Sequence, residues 1–448
     1  MFTNRDLFKI ILPMILQNIM SIAVSTADSM MVASAGEAAV SGVSLVGSVD
    51  TMLVLLFSSL VSGGAVTVSH ALGSGDKRYA RNCAKQLFYI SLIFAVLSTV
   101  IAQAFRVPLI DGLYGNAETA VRNNAKIYMA IITLSFPFLA INETGAAVLR
   151  VMGNTLTTMT LSLIANVINI IGNAIFIYGC GMGVAGAALA TVISRVFWAI
   201  TLTVILHSKK RDIYYDKLYS YKPDLNVIKK ILRIGIPHGI ESSMFQFGRL
   251  LMQVLVSGMG TAAIAANSVA NTLANYHYMP AGAIQNASVT VVGRCYGAKD
   301  HDAAKKMSRK LLLWAYVCMW VLSIVLFIFA RPIIGIYNLS DKGTKIAVSL
   351  TIFHSVAVSV LRPLAFSLPS FFKAAGDVKL SMTVSTVSMW VVRIGAAFIL
   401  ASDSLTLFGI TVPCLGLGII GVWVAMVGDW LTRAIFFTPY YIKNKWLK

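Results

Sequence analysis

The sequence predicts an all-α membrane protein of about twelve transmembrane helices, built as two pseudo-symmetric six-helix bundles. Three observations carry this prediction: the composition, the spacing of the apolar runs, and a repeat that relates the two halves of the chain. Hydrophobic residues make up 57% of the chain and charged residues only 12%, about half the charged share of a soluble domain. A surface with so few charges must face lipid.

Apolar runs long enough to cross a bilayer, about 20 residues each, recur along the whole chain between short polar loops. The first run lacks a small-residue cleavage site, so we expect it to remain as a helix. The predicted helices span residues 10–33, 46–70, 87–108, 127–149, 157–178, 185–207, 234–257, 262–292, 311–330, 346–372, 380–401 and 414–438.

One long polar connector divides the chain. Residues 207–233 carry eight lysines and arginines between two apolar runs. We therefore predict an amino-terminal lobe at 1–206, a cytoplasmic linker at 207–233 and a carboxy-terminal lobe at 234–448. Each lobe holds six of the predicted helices.

The two halves resemble each other in sequence. Pro13 corresponds to Pro237, and the turn at 73–76 corresponds to the turn at 297–300, both at an offset of 224 residues. Because each half has an even number of helices, both halves cross the membrane in the same direction, with their two-fold axis along the membrane normal. We expect a central cleft between the lobes and hinges at the two prolines.

Lysine and arginine are distributed unevenly between the two sides of the membrane. Twenty-six of the 37 lie at the termini or in loops on the same side as the termini, and six lie in loops on the other side. By the positive-inside rule both termini are expected in the cytoplasm, with the protein in a bacterial inner membrane. The formal charge of +19 therefore indicates a lipid partner and no nucleic acid.

Acidic residues inside the predicted helices are the first candidates for function. A carboxylate near the bilayer centre costs about 2.5 to 3.5 kcal/mol, so it must face the protein interior or water. We single out Asp28, Glu143, Glu241 and Asp429. Asp28 is expected to bind a proton or a cation, although it could instead be the structural partner of a buried donor. Glu241 follows Pro237 closely and could be solvated at the cytoplasmic side.

The fifth predicted helix carries three asparagines on one face, Asn166, Asn169 and Asn173, because their spacing is i, i+3, i+7. Amide oxygens are ligands for hard cations and partners for a protonated carboxyl. Such amides can also simply join helices, at about 0.6 kcal/mol per bond. Beside Asp28 we favour the ion-binding interpretation. Neighbouring helices could complete the site with Asn142, Glu143 and Thr191.

Several polar and soft side chains are candidates for substrate contact or coupling. Methionine and aromatic residues are usually packing residues, but lining a cleft they suit bulky cationic ligands. Buried arginines are expected to pair with carboxylates or to extend toward the membrane surface. The candidates are Gln17, Glu143, Glu241, Met244, Gln246, Arg249, Tyr276 and Asn286.

No cofactor is expected. The turns GSGDKR and GAKDHD lack the phosphate-binding GxxxxGK[ST] pattern, and the histidines lack metal-ligand spacing. The chain therefore has no predicted ATP motor, and the only metal we expect is Na⁺ at Asp28. We expect a monomer that works on a small cationic substrate.

The chain resembles the multidrug and toxic compound extrusion (MATE) family over nearly its whole length. The segments that carry the resemblance are ADSMMVASAGEAAVSGVSL (27–45), the paired loops ALGSGDKRYAR and RCYGAKDHDAAKK, the turns VLRVMGN and FFKAAGD, and NVINIIGNAIFIYG with GVAGAALAT. The resemblance implies a V-shaped fold of two lobes. It also implies export of organic cations and drugs in exchange for sodium ions or protons.

The resemblance also implies a cation site in the first lobe. Carried over by position, it consists of Asp28, Asn142, Asn169, Asn173 and Thr191. Many members have aspartate where this chain has Asn173, so the site here has one charge fewer.

Another branch of the family uses acids of helices 7 and 10 instead. Here position 245 is phenylalanine, Glu241 lies one turn earlier, and helix 10 holds Arg362 and no acid. We therefore place coupling in the first lobe, where Asp28 would alternately hold and release the ion while the lobes rock about the linker.

Three other functions remain open. A lipid-linked oligosaccharide flippase would need a basic cavity, so clustering of Arg249, Arg362 and Arg393 would favour it. A major-facilitator transporter has the same helix count, but its basic motif after helix 2 is missing. A membrane-embedded enzyme would need convergent histidines and carboxylates at one membrane face, and the sequence does not predict such a group.

Overall fold

The computed structural model describes residues 2–115, 117–216, 218, 222–407 and 410–447. Within these ranges the chain forms twelve long helical spans. They are α1 (Asn4–Ala33), α2 (Glu37–Gly73), α3 (Lys77–Ala104), α4 (Thr119–Val151), α5 (Thr155–Gly179), α6 (Gly183–His207), α7 (Leu225–Ser257), α8 (Thr261–Gly297), α9 (His301–Gly335), α10 (Asp341–Ala374), α11 (Lys379–Ala401) and α12 (Gly418–Ile442). A short helix, Arg106–Leu113, joins α3 to α4.

Ten of these spans are long and apolar enough to cross a membrane, whereas α7 and α8 are equally long but more polar. The outer face of α9 shows a surface suited to lipid. Leu313, Val317, Trp320 and Ile324 follow one another at helical spacing, and each is more than half exposed. The chain is a multi-pass membrane protein, and the predicted all-α class with six helices in each half is confirmed.

The turn that precedes the third helix of each half has the same geometry in both halves. Asp76 caps α3 and Asp300 caps α9, and each accepts a hydrogen bond of 2.8 Å from the backbone nitrogen three residues later. A left-handed residue precedes each cap, Gly75 (φ 83°) and Lys299 (φ 59°). Such caps stabilise a helix by about 1 kcal/mol. The repeated geometry agrees with the repeat predicted from the sequence.

Two helices begin earlier than predicted. The second begins at Glu37 rather than 46 because Gly36, with φ 102°, sets its first turn. The seventh begins at Leu225 rather than 234, since Asp224 accepts hydrogen bonds from the next backbone nitrogens at 3.2 and 3.3 Å. The connector between α6 and α7 is therefore shorter than the predicted linker 207–233.

The chain packs as two compact units, residues 2–239 and 240–447, so the first part of α7 belongs to the amino-terminal unit. Glycines allow this packing. A Cβ on Gly63 of α2 would lie 2.6 Å from the backbone nitrogen of Gly235, so the two helices touch backbone to backbone. The predicted hinge prolines, Pro13 and Pro237, both lie inside helices, α1 and α7, where proline removes one backbone hydrogen bond.

Three helices contain a widened π turn. These turns are Ala174–Gly179 in α5, Pro363–Ser367 in α10 and Ser388–Ile394 in α11. The first follows Asn173 directly, the second follows Arg362, and the third contains Arg393. Widened turns of this kind are frequent at functional sites. Each of the three turns therefore follows or contains a polar residue that the sequence analysis named.

The second half differs from the first in the loop before its last helix. Strands β1 (Ser404–Leu407) and β2 (Ile410–Pro413) pair antiparallel there, with Leu407 opposite Ile410. The corresponding loop of the first half, between α5 and α6, consists only of residues 180–182.

Candidate functional site

The amino-terminal unit encloses a cavity of about 310 Å³ between α1, α2, α4, α5 and α6. Most of its lining is apolar or hydroxyl-bearing. The ionisable and amide side chains on its wall are Asp28, Asp50, Tyr128, Asn173 and Arg195. The predicted Asp28 site therefore opens into a space large enough for a hydrated ion or a small ligand.

Asp28 is held by amides rather than by a cation. It is half-buried on α1, and its Oδ1 accepts a hydrogen bond of 2.6 Å from Asn173 Nδ2. Asn173 is only 1% exposed, and its Oδ1 has no hydrogen-bond partner among the described residues. No ion pair joins Asp28 to any residue that the structure describes. Its charge is thus available to a mobile ion.

The amide of Asn169 can be placed in two orientations, which differ in the atom that faces Asp28. In one, its nitrogen donates to Thr191 Oγ1 at 3.2 Å. In the other, the nitrogen donates to both carboxylate oxygens of Asp28, at 2.7 and 3.1 Å, and the oxygen accepts from Thr191. An ionised carboxylate requires the second orientation because it can only accept hydrogen bonds. In the first orientation the amide oxygen faces Asp28, which suits a protonated acid or a bound cation.

The oxygens around Asp28 fit a small hard cation. The carboxylate and Thr191 Oγ1 meet the amides of Asn169 and Asn173 from three helices, and hard cations prefer the oxygen ligands that these groups carry. Among the described residues no three histidine, cysteine or acidic side chains cluster as metal ligands. One carboxylate with neutral oxygens suits a proton or a monovalent ion.

The fifth predicted residue, Asn142, lies apart from this group. Its nitrogen donates to the Arg195 backbone oxygen at 3.1 Å, and its own oxygen is buried without a partner in the described part of the chain. The structure therefore brings together four of the five predicted residues.

Sequence reasoning missed a second acid in the same cavity. Asp50 Oδ2 lies 3.6 Å from Arg195, which also donates to Ser135 at 2.6 Å. The predicted second helix begins at 46, so Asp50 would lie near its start, where a carboxylate can reach water. Because α2 begins at Glu37, Asp50 lies well inside the helix. The glycine and acid at 36–37 were the available signal of this earlier start.

The carboxy-terminal unit contains a separate cavity of about 330 Å³. Arg249 lies on its wall together with Arg393, Trp423 and several amides. The remaining candidates line neither cavity: Gln17, Glu143, Met244, Gln246, Tyr276 and Asn286.

Two of the three other acids singled out from the sequence are bound to basic side chains. Glu241 lies 2.8 Å from Lys373 Nζ. Asp429 is fully buried and lies 2.8 Å from Arg433 Nε. Within the described residues, Asp28 thus differs from both in lacking a cationic partner.

Comparison with known proteins agrees with the fold and the repeat. The family model MatE matches the chain twice, at residues 13–175 and 237–399. The second match begins and ends 224 residues after the first, so the offset derived from a proline and a turn extends over each half.

Individual proteins match almost the whole chain. The probable multidrug resistance protein NorM of Thermotoga maritima is 25% identical over 99% of this chain and 93% of its own length. The uncharacterized transporter YisQ of Bacillus subtilis is also 25% identical, over 99% and 95%. A crystal structure of MATE in the bent conformation superposes with a TM-score of 0.89 at 20% identity, covering 99% of this chain and 95% of that one.

Proposed function

This chain belongs to the MatE family of membrane transporters, and we propose on that premise that it is a secondary active antiporter. It exports organic cations and drugs in exchange for Na⁺ or H⁺, acts as a monomer without a cofactor, and resides in a bacterial inner membrane with both termini in the cytoplasm. The observation that carries this proposal is Asp28, a carboxylate held only by amides on the wall of a cavity.

The chemistry of the site supports coupling to an ion. Removal from water disfavours the ionised form of a carboxyl, so Asp28 gains from binding either a proton or a cation. The amides Asn169 and Asn173 can serve either state, since each carries both a donor and an acceptor. Binding and release would change which groups hold α1 to α5 and α6, and Pro13 and Pro237 provide points where α1 and α7 can bend.

The energy available is sufficient for useful export. A membrane potential of 100 mV contributes about 2.3 kcal/mol per charge moved. This corresponds to a concentration ratio of roughly 50 when one net charge moves per cycle. Access would alternate between the two sides of the membrane, with substrate and ion excluding each other.

Ethidium efflux from proteoliposomes tests the proposal. The sodium gradient and the proton gradient are imposed separately, so transport and its coupling ion are measured together. We expect one of the two gradients to drive efflux in the unmodified protein, and the same gradient to drive none in Asp28→Asn, which keeps the shape of the side chain but not its charge.

Asp302→Asn is the matched control, because this carboxyl is 97% exposed. It should change efflux by no more than about twofold. Full ion-driven efflux in Asp28→Asn, with equal reconstitution of the proteins, would overturn the proposed coupling.

A lipid-linked oligosaccharide flippase is the second candidate. Arg249 and Arg393 do line one cavity, which favours it, whereas Arg362 is packed against aromatic rings instead. The cavity of about 330 Å³ is at the small end for drug-sized ligands. An oligosaccharide diphosphate is far larger, so the antiporter ranks first.

A further inference from the structure

The carboxy-terminal unit holds more positive than negative charge among its buried groups. Its buried acids are already used: Glu241 contacts Lys373 and Asp429 contacts Arg433, both at 2.8 Å. Asp429 also accepts a hydrogen bond of 2.6 Å from Ser388. Among the described residues, these pairs leave Arg249, Arg362 and Arg393 without a carboxylate partner.

Arg362 is accommodated by aromatic rings. Its guanidinium carbon lies 3.4 Å from the centre of the Tyr278 ring and 4.4 Å from that of Phe366. Cation–π contacts of this kind stabilise a desolvated arginine by about 2 kcal/mol. A structural role therefore accounts for Arg362.

No such account applies to Arg249 and Arg393. Neither forms an ion pair or a hydrogen bond with any residue in the described part of the chain, and Arg393 Nε is buried without a partner. Among the described residues, Phe245 is the ring that approaches Arg393, with its centre 5.8 Å from the guanidinium carbon. Both arginines line the same cavity. Arg393, whose Nε is buried, is costly to hold there unless an anion joins it, and the exposed Arg249 offers a second guanidinium to that anion.

The rest of the cavity wall suits an anion with an apolar body. Trp423 Nε1 donates to Asn267 Oδ1 at 2.9 Å, which fixes that amide and leaves its nitrogen as a free donor. Met252, Val256 and Met426 supply apolar surface on the same wall. Guanidinium groups match the planar shape and charge of carboxylate and phosphate.

We propose that this cavity is a binding site for the anionic group of a small amphipathic molecule, a carboxylate, sulfonate or phosphate, held by Arg249 and Arg393. The site is opposite in polarity to the Asp28 cavity of the amino-terminal unit. The proposal goes beyond the antiport function, because it concerns binding and holds whether or not Asp28 couples transport to an ion.

A pair of dyes with one fluorophore and opposite charges tests the proposal. Dansylglycine is an anion and dansylcadaverine is a cation, and both accept energy from tryptophan. The full chain is placed in nanodiscs of neutral phosphatidylcholine, and dansyl emission is followed on tryptophan excitation. We expect saturable binding of dansylglycine, and loss of much of the transferred emission in Trp423→Phe.

Substitution of the arginines gives the decisive readout. Arg249→Gln and Arg393→Gln should each weaken dansylglycine binding by about tenfold to a hundredfold, since each removes a charge-assisted contact. Dansylcadaverine binding should not weaken. Arg393→Lys keeps the charge and should retain most of the affinity, and a thermal midpoint equal to that of the parent excludes misfolding in each variant.

Lys342→Gln is the control for general electrostatics, because it removes one positive charge from an exposed position outside the cavity. Phosphatidylglycerol in the nanodiscs distinguishes two sources of the anion: competition with the dye identifies a lipid headgroup, and no competition identifies a soluble ligand. Unchanged dansylglycine affinity in both arginine variants, or an equal loss in Lys342→Gln, overturns the proposal.

Discussion

Asn173 determines how much negative charge the Asp28 site contains. Its amide nitrogen donates a hydrogen bond of 2.6 Å to Asp28. Two ionised carboxylates could not lie that close without a proton or a cation between them. We therefore expect Asn173→Asp to bind Na⁺ more tightly, and to show efflux that saturates at a lower sodium concentration. Ethidium efflux at graded sodium and constant pH measures this.

The control for this prediction lies on the same helix. Asn166→Asp adds the same charge to α5, but Asn166 neither lines the cavity nor contacts Asp28 in the described structure. Equal sodium curves for the two variants would show that added negative charge, and not its position beside Asp28, causes the change.

The pair of Asp50 and Arg195 makes a second prediction at the level of residues. Each group is about one-fifth exposed, and their atoms lie 3.6 Å apart. Removing one partner leaves the other charge uncompensated, which costs up to about 3 to 5 kcal/mol when the pair is buried. Arg195→Gln should lower the thermal midpoint, and Asp50→Asn with Arg195→Gln should recover part of the loss. A double variant less stable than both single variants would contradict this.

The contact between α5 and α6 holds Asn173 and Thr191 together. A Cβ on Gly186 of α6 would lie 2.9 Å from the Cβ of Phe176 in the widened turn of α5. We expect Gly186→Ala to destabilise the protein by about 1 to 3 kcal/mol and to reduce efflux, because the helices that carry the amides must separate.

Gly179→Ala is the appropriate comparison for this prediction. It lies at the end of the same widened turn, where an added Cβ meets no atom within 4 Å. Thermal unfolding of the two variants in one detergent measures the difference, and an equal shift in both would refute the steric explanation.

The sequence predicted the number and order of the helices well, but it predicted poorly the residues at which they begin and end. Length and hydropathy define a transmembrane helix over many residues, so an error of a few positions does not hide it. Ends depend on single residues such as Gly36 and Asp224, which act through one dihedral angle or one hydrogen bond. The error in the predicted start of α2 hid Asp50. The widened turn after Asn173 could not be predicted, because it left no pattern in the spacing of the apolar residues.

The orientation of the whole molecule can be tested with a native cysteine. Cys180 is exposed in the turn between α5 and α6, on the side with few basic residues. With the other four cysteines replaced by alanine, we expect a membrane-impermeant maleimide to label Cys180 on intact cells. Ser74→Cys, placed in the cysteine-free chain on the opposite side, should be labelled only after permeabilisation. The reverse pattern would contradict cytoplasmic termini.

At the level of the whole molecule, the repeat was the sequence feature that predicted the fold best, but it did not predict the chemistry of the two cavities. One offset of 224 residues relates the halves in sequence, in caps and in the family match. The charges of the two cavities do not follow it. Asp28 faces amides in one unit, while Arg249 and Arg393 in the other have no ion pair or hydrogen bond with any described residue. Backbone repeats predict where a cavity forms, but side chains decide what it binds.

The amide of Asn169 lies between Asp28 on α1 and Thr191 on α6, and its nitrogen and oxygen can exchange places without moving the rest of the side chain. A hydroxyl has a single hydrogen, and Thr191 donates it to the Ala187 carbonyl in a hydrogen bond of 3.0 Å. The orientation that donates to an ionised Asp28 places the amide oxygen 3.2 Å from Thr191 Oγ1, so the hydroxyl can donate to Asn169 instead of to the Ala187 carbonyl. A change of charge on α1 would then alter a side-chain hydrogen bond on α6, with no side chain moving farther than the flip of an amide.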